Sequence, residues 1–562
     1  MPVYFNDAVD DTLLYDRQAS FIGGQVSNFR ENLLNESQAE LIKDLAPEIN
    51  GVLKTRRGFH RFANLLGSTS SSTNVQTLHF FDSDSRERVI AAVNGSLYEI
   101  QSNGTVAAIS AVAGSMSPAT TPAYMCQIAD KMYWSSDSTS SKIFELKYSG
   151  GAWVKTVATD AAPLNAKYLI ANSGRVFAYD ESNNDIYVST ILPNLASTST
   201  LFTLGGTTIN PFKVGTGAET VTGMYSWVGT NVVVFCENSV YLVDTNPLTA
   251  ATATAGNATA TFTIRQVSNK SGCVSHRAAA QVGEDLFYLS KDGVRSLKRT
   301  MAEEMVASTA GVISYPIQDL IDSINWSAAV QQASATFWNG NFMLSVPILS
   351  STVNNCILIY NVNTNSWGGY WQGNADYNVK AIDFAVPAFS GYAEKLLTLD
   401  KIGNVMELRD YVSPENAVST DFQDNFDGSN YRDTAWQAVT RGLAFNDQLS
   451  PKSGDFVEYE FDRSNAKVDI IPILDGDEGE RLVTNLETGS GDIFLTASAP
   501  VLPFVLPDAK VRRFRYSLTQ YDPFRELQFK IQQSTGDTTG NKYVALRSIQ
   551  SGAFMDTMEA DQ

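Results

Sequence analysis

Four cysteines in 562 residues, none of them in a C-x-x-C pair, exclude a disulfide scaffold and a cysteine-built zinc site. Cys126, Cys236, Cys273 and Cys356 read as free, buried thiols, which suits assembly in a reducing cytoplasm. Histidine is scarcer still. His60, His79 and His276 are the whole supply, and no two stand at ligand spacing. Zinc hydrolysis and a Ser-His-Asp triad both need better-supported histidines than these. There is no G-x-S-x-G and no Walker A sequence; GDTTGNK (536–542) has the wrong spacing to cradle phosphate. Basic residues are also short, 41 against 60 acidic, for a net charge of −19. That balance repels phosphates and argues against tight wrapping of nucleic acid, though it lets nucleic acid pass close by. The first residues, MPVYFNDAVDDTLLYDRQ, have neither the basic nor the apolar region of a signal peptide. No apolar run approaches the roughly 18 residues of a membrane helix. The expectation is a chain made in the cytoplasm, with no transmembrane segment.

What is present is strand-like. Apolar residues make up 43% and charged residues 18%, as in a chain that buries a sizeable core. With 29 Phe and 23 Tyr, the aromatic content leans toward strands. From residue 86 onward a unit recurs: short apolar strand, polar turn, second strand. RVIAAVNGSLYEI is the cleanest, with Asn94-Gly95 as a type I′ turn. KMYWSSDSTSSKIFEL, RVFAYDESNNDIYVS, NVVVFCENSVYLVD, DLFYLSKDGVRSL, FMLSVPILSSTVNNCILIY and KLLTLDKIGNVMEL repeat it. The turns recur every 44 to 61 residues or so, the scale of four-stranded propeller blades with loop insertions. A lone hairpin cannot bury both faces, whereas blades stacked around an axis can. A generic β-sandwich with hairpins, or two of them, is the competing arrangement. YNVNTNSWGGYW (360–371) also resembles the end of a kelch blade, once.

The fold class is therefore mainly β: a β-propeller-like body of hairpin repeats over 63–409, an N-terminal arm over 1–62, and a C-terminal β-sandwich-like module over 410–562. In the arm, NESQAELIKDLAPE predicts a short helix near 37–46. Ser37 and Glu40 form a capping box, Leu41, Ile42 and Leu45 follow at helical spacing, and Pro47 stops the run. ISYPIQDLIDSINW is a second, weaker helix. In the C-terminal module Val457, Tyr459 and Phe461 alternate with Glu458, Glu460 and Asp462, as in a half-buried strand. Phe514, Tyr516 and Leu518, and Leu527, Phe529 and Ile531, do the same.

Two acidic clusters, DFQDNFDGSN (421–430) and DGDEGE (475–480), crowd carboxylates around glycine but fail the EF-hand spacing. They read as solvated turns. Ser290-Lys291-Asp292-Gly293 lacks the offsets of a sialidase aspartate box. No cofactor, no metal ligand and no catalytic residue is assigned.

Against the acidic background, NGVLKTRRGFHRF (50–62) gathers Lys54, Arg56, Arg57 and Arg61 around Gly58. Without further basic segments this makes a poor nucleic-acid surface. It reads instead as a joint. Gly58 turns the arm into the first propeller strand, and Phe59 and Phe62 anchor it. Arg56, Arg57 and Arg61 fork onto carboxylates of the same or a neighbouring subunit. Arg56, Arg57, Gly58 and Arg61 are the candidate structural or subunit-interface residues.

The order FIGGQVSNFRENLLNESQAELIKDLAPEINGVLKTRRGFHRF (21–62), with Gly51, Leu53, Arg56 or Arg57 and Gly58 as G-x-L-x-x-R-x-G, resembles the tail tubular protein B, or tail nozzle, family of short-tailed bacteriophages. VRRFRYSLTQYDPFRELQFKIQQS and KYVALRSIQ resemble that family's closing segment. The resemblance implies a non-enzymatic virion structural protein, assembled in the host bacterial cytoplasm and located in the phage tail. It implies a homo-hexamer below the portal adaptor that extends the tail channel. Such a ring retains the genome and then conducts double-stranded DNA without sequence-specific binding. It supports tail fibres or spikes and meets the host cell surface at infection. The alternative is a propeller tail protein that binds or degrades glycans.

Overall fold

The computed structural model describes residues 13–555 except 67–73, 85, 110–121, 137–142, 159–165, 191–200, 205–206, 216–218, 246–257, 260–261, 307–310, 375–376, 379–380, 410–418, 463, 465, 489–510 and 535–542. GDTTGNK (536–542) lies outside the described residues apart from its position in the sequence.

All seven hairpins pair as antiparallel strands, six of them in small sheets of three or four strands and the sixth in a larger sheet. At the first, Asn94 and Gly95 both have positive φ, 51° and 75°, as a type I′ turn requires. The sheets are blades. The first contains Val75–Ser83, Arg86–Val93, Ser96–Ile100 and Val106–Ala108, and the second Ala123–Ile128, Lys131–Ser136, Phe144–Ser149 and Ala152–Val157. The third to sixth blades begin at Ala166–Asn172, Val221–Trp227, Ala279–Val282 and Ser334–Trp338. The seventh contains Asp383–Ala385, Leu397–Leu399 and Asn404–Leu408, and its fourth strand is Phe59–Asn64. First strands of successive blades pack side by side from the first blade to the fourth and from the fifth through the seventh back to the first, while the fourth and fifth blades meet through a shared apolar cluster that includes Val233, Phe235, Ala279 and Tyr288. Facing blades share apolar clusters. Val89, Ala91 and Ile100 of the first blade meet Leu397, Leu399 and Val405 of the seventh. The molecule is thus a mainly β, seven-bladed propeller closed by a strand from before its first blade.

The remaining strands come from both chain ends. Leu45–Pro47, Leu53–Thr55, Ala545–Met555, Lys452–Asp462 and Val511–Ser517 form one sheet, with Leu13–Gln18 also pairing with Ala545–Met555. The facing sheet carries Gln38–Lys43, Gln437–Thr440, Leu527–Gln533 and Lys467–Leu474, and continues into the sixth blade, where Lys43 pairs with Tyr370. Between the two sheets lie Ile42, Leu53, Val457, Tyr459, Phe461, Phe529, Ile531 and Ile549, all nearly inaccessible. The alternation read at 457–461 and 527–531 forms this core.

The expected helix near 37–46 is not one. Residues Gln38–Lys43 and Leu45–Pro47 are strands. A bulge between Ala39 and Leu41, and Asp44 at φ 53°, interrupt the two-residue alternation. The inward positions become Ala39, Ile42 and Leu45, a three-residue spacing that imitates a helix. Glu40 closes no capping box; its carboxylate accepts from Gln528. In the weaker prediction at 313–326, short helical turns do form, at Tyr315–Ile317 and Gln318–Asp322, with Trp326–Gln332 following. The helix Leu297–Val306 was not anticipated.

Candidate functional site

The basic stretch lies where the sandwich, the sixth blade and the seventh blade meet. Arg56 follows Leu53–Thr55 directly, and its side chain is completely buried. Its Nη1 and Nη2 donate to the two oxygens of Asp424 at 2.8 and 2.6 Å, and its Nε donates to Asp44 Oδ1 at 2.7 Å. Nη1 also donates to the carbonyl of Arg57 at 2.9 Å. The carboxylates are shared onward. Asp424 Oδ1 accepts from the amide of Phe59, the first residue of the closing strand, at 2.9 Å. Asp44 accepts from the amides of Gln372 and Gly373, just past the last strand of the sixth blade, at 3.0 Å. The guanidinium lies 5.6 Å from the Phe59 ring centroid and 6.0 Å from that of Trp371. Burial alone would lower the Arg56 pKa, but Asp424 and Asp44 outweigh it and hold the proton well above the ordinary range. One planar fork, bonded through Nε and both Nη atoms, ties three parts of the molecule together.

The neighbouring residues surround this joint. The Arg57 guanidinium sits 4.5 Å from the Phe422 ring centroid. Gly58 does not turn; it permits close approach. A Cβ there would lie 1.8 Å from the carbonyl oxygen of Gln423. Its amide donates to Asp421 O at 2.8 Å, and its carbonyl accepts from the amide of Arg409 at 3.1 Å. Phe59 is fully buried among Met343, Ile357, Trp371 and Met406, whereas Phe62 is only partly buried. The Arg61 guanidinium lies against Gly428, and its amide donates to Asn425 O at 2.9 Å. Lys54 pairs with Glu48 at 2.6 Å. His60 Nε2 faces the carbonyls of Thr420 and Gln423, and burial lowers its pKa. The stretch 50–62 therefore leads into the strand that closes the last blade, not into the first blade.

A second constellation sits on the propeller axis. His276 and Arg277 precede Ala279–Val282, the inner strand of the fifth blade. The His276 ring stacks on Tyr168 of the third blade, centroids 4.8 Å apart and 6° from parallel, and meets the edge of Tyr124 of the second. Its Nδ1 accepts from the amide of Met224 in the fourth blade at 3.2 Å. Arg277 reaches across: Nη2 donates to Gln76 O in the first blade, and to Ala123 O in the second at 2.7 Å. Nε lies 3.6 Å from Asp383 of the seventh blade, and the Arg277 carbonyl accepts from the amide of Ala335 in the sixth at 2.8 Å. Asp383 in turn accepts from Thr77 Oγ1 and the Leu78 amide at 2.9 and 3.0 Å. From the fifth blade, two consecutive residues touch the other six and occupy the axis. Burial pushes the pKa of His276 down to about 3 and that of His79, beside Asp383, down to about 4. Both rings are neutral at physiological pH.

The four cysteines are free and buried. Burial pushes Cys126 and Cys273 up to about 12 and Cys236 up to about 11, so they are inert thiols rather than nucleophiles. The acidic clusters divide. Asp424 serves Arg56, while Asp427 caps a turn by accepting from the Asn430 side-chain amide and from the backbone amides of Asn430 and Ser429, and these bonds, the side-chain one foremost, lower its pKa to about 2. Asp475 accepts from the amides of Arg525 and Glu526, and Glu478 pairs with Lys530. Among the described residues no group of three or more His, Cys, Asp or Glu is placed to hold a metal. Asp44, Asp424, Arg277 and Asp383 escaped the sequence reading. Asp424 was visible only as one carboxylate of an acidic turn, and SHRAAA gives no sign that its arginine crosses an axis.

No family model matches the chain, and no curated protein matches it. Among solved structures it is similar to the WD40 β-propeller domain of Doa1, at 9% identity and TM-score 0.35 over 62% of this chain and 99% of that one. It is similar to YCF48 bound to D1 peptide, at 9% identity and TM-score 0.35 over 62% and 95%. It is also similar to a chain of a nidogen/laminin complex, at 9% identity and TM-score 0.29 over 53% and 97%.

Proposed function

We propose that this chain is a virion structural protein, a tail nozzle of a short-tailed phage. Six copies form a ring below the portal adaptor, extend the tail channel, retain the genome and then conduct it. The ring also carries tail fibres or spikes to the host surface. The observation that carries this reading is the location of the residues that resemble the family. Arg56 and Gly58 lie at the joint where both chain ends meet the propeller, and Gly51 and Leu53 lie just before it in the sandwich. A motif that makes a joint between two bodies suits a protein whose work is architectural.

The axis adds a constraint. His276 and Arg277 cross it, so duplex DNA does not thread a single propeller. In this reading the channel lies between copies, and oligomerisation is a requirement of function. A charge of −19 per copy repels phosphates, so DNA in transit does not stick.

Native mass and negative-stain imaging of the purified chain, with and without the adaptor, test the reading. A six-membered ring with its opening between subunits is expected. A strict monomer that never joins a tail particle would overturn it. Release of reducing ends from host polysaccharide would favour the glycan-degrading alternative.

A further inference from the structure

The strand Val511–Ser517 lies at an edge of the sandwich. It pairs on one side with Lys452–Asp462, and among the described residues no strand pairs with its other side. Its sequence, VRRFRYS, holds three arginines and no carboxylate in a chain of net charge −19. Arg513 and Arg515 stand opposite Glu460 and Glu458 on the solvent face. Arg512, Phe514 and Tyr516 stand opposite Phe461, Tyr459 and Val457 on the core face.

The occupied side shows what this strand accepts. Its neighbour runs Val457-Glu458-Tyr459-Glu460-Phe461-Asp462, so each arginine on the solvent face meets a carboxylate, and each aromatic on the core face meets an apolar residue. Arg513 Nε lies 2.5 Å from Glu460 Oε1, and the Arg515 guanidinium covers the Phe456 ring at 3.6 Å. The other side, unpaired among the described residues, presents the same two rows. The Arg513 side chain is 65% exposed, Phe514 and Tyr516 are half-buried, and the Nε of Arg512 is buried with no acceptor among the described residues. Arginines on an edge keep like edges apart. That accounts for the charges, but not for a half-covered aromatic row or for an Nε buried without an acceptor among the described residues.

We propose that this edge is a docking site for an extended segment of another protein that alternates carboxylate and apolar residues and adds as a strand beside Val511–Ser517. Main-chain hydrogen bonds along the edge supply affinity, and the alternating rows supply specificity. Carboxylates at every second position rest over Arg513 and Arg515. The residues between them extend the core past Phe514 and Tyr516. This inference stands apart from the nozzle reading, since it rests on the edge alone.

The test uses the full chain and a labelled synthetic peptide, FVEYEFD, copied from residues 456–462. Fluorescence anisotropy reads binding, and hydrogen exchange reads its position. Saturable binding that slows exchange at 511–517 is expected. It should weaken roughly tenfold or more when both peptide glutamates become lysine, and similarly in Arg515→Glu. The lysine peptide needs no folded variant, so misfolding of Arg515→Glu cannot obscure the result. Absence of binding, equal binding of both peptides, or protection elsewhere would overturn the proposal. So would protection of 511–517 in the free chain that disappears on dilution, which would assign the edge to a second copy of this chain.

Discussion

The propeller and the sandwich of chain ends are both built from antiparallel strands, but they are wired in opposite ways. In the first six blades the blade strands come in sequence order from one stretch of chain and are built around local hairpins. In the sandwich, Lys54 pairs with Ala545 and Leu14 with Ala553, partners from the two ends of the chain. The seventh blade belongs to both schemes: three strands are local and the fourth, Phe59–Asn64, comes from before the first blade. Local pairing closes short loops at low entropic cost, whereas pairing of chain ends must wait until everything between has folded. The two bodies also solve the burial of charge differently. At the propeller axis Arg277 bonds backbone carbonyls and lies near one carboxylate. At the joint Arg56 is fully enclosed and divided between two.

That contrast orders the consequences of breaking each feature. Arg56→Ala leaves Asp44 and Asp424 buried without their cation and should cost about 3–5 kcal/mol, the largest single effect, read by urea denaturation. If the account is right, the sandwich and the seventh blade lose stability together. Arg277→Ala removes charge-assisted bonds to two blades and should cost about 2–3 kcal/mol, with the sandwich unaffected at low denaturant. Gly58→Ala forces a Cβ onto the Gln423 carbonyl, and main chain cannot yield as a side-chain tip would. A loss of about 2 kcal/mol in thermal or urea unfolding is expected. The pH dependence is gentler. His79 and His276 have folded pKa values of about 4 and about 3, below the ordinary 6.5. Their contribution is complete above pH 6.5, because neither state then binds the proton. As pH falls below that value the unfolded chain takes up protons that the folded one refuses. Stability then drops by up to about 1.4 kcal/mol per pH unit for each histidine until the folded pKa is reached. Unfolding midpoints between pH 7 and 4 measure this, and His276→Gln should flatten the slope by about one proton. Lys291→Ala removes an ion pair with Glu237 in which both side chains are more than half exposed. It should change stability by less than about 0.5 kcal/mol.

The same contrast explains what the amino-acid sequence reveals. Each hairpin of the propeller leaves its mark within some fifteen residues, as at Asn94-Gly95, so the mainly β, bladed architecture was legible. The closing strand was not, because nothing in HRFAN at 60–64 names Asn404–Leu408 as its partner. Nor was the strand at Gln38–Lys43, whose bulge disguised its period. Arg56 stood out by charge alone, and its neighbours could be located only in space. Asp44 is twelve residues away and Asp424 lies beyond all seven local blade cores. Gly58 was noticed as a turn former, but its need is close approach to Gln423, which no local pattern encodes. Arg277 left no trace, since its contacts are spread over four other blades and none of them is nearby in sequence.

The central claim is that one buried arginine couples closure of the propeller to the sandwich of chain ends. Hydrogen exchange of Arg56→Ala, compared with the unaltered chain under folding conditions, tests it most directly. The account expects faster exchange at Phe59–Asn64 and Asn404–Leu408 together with Leu53–Thr55, while the hairpin at Arg86–Ile100 stays protected. Unchanged protection of Phe59–Asn64 and Asn404–Leu408, with exchange rising only at Leu53–Thr55, would contradict it.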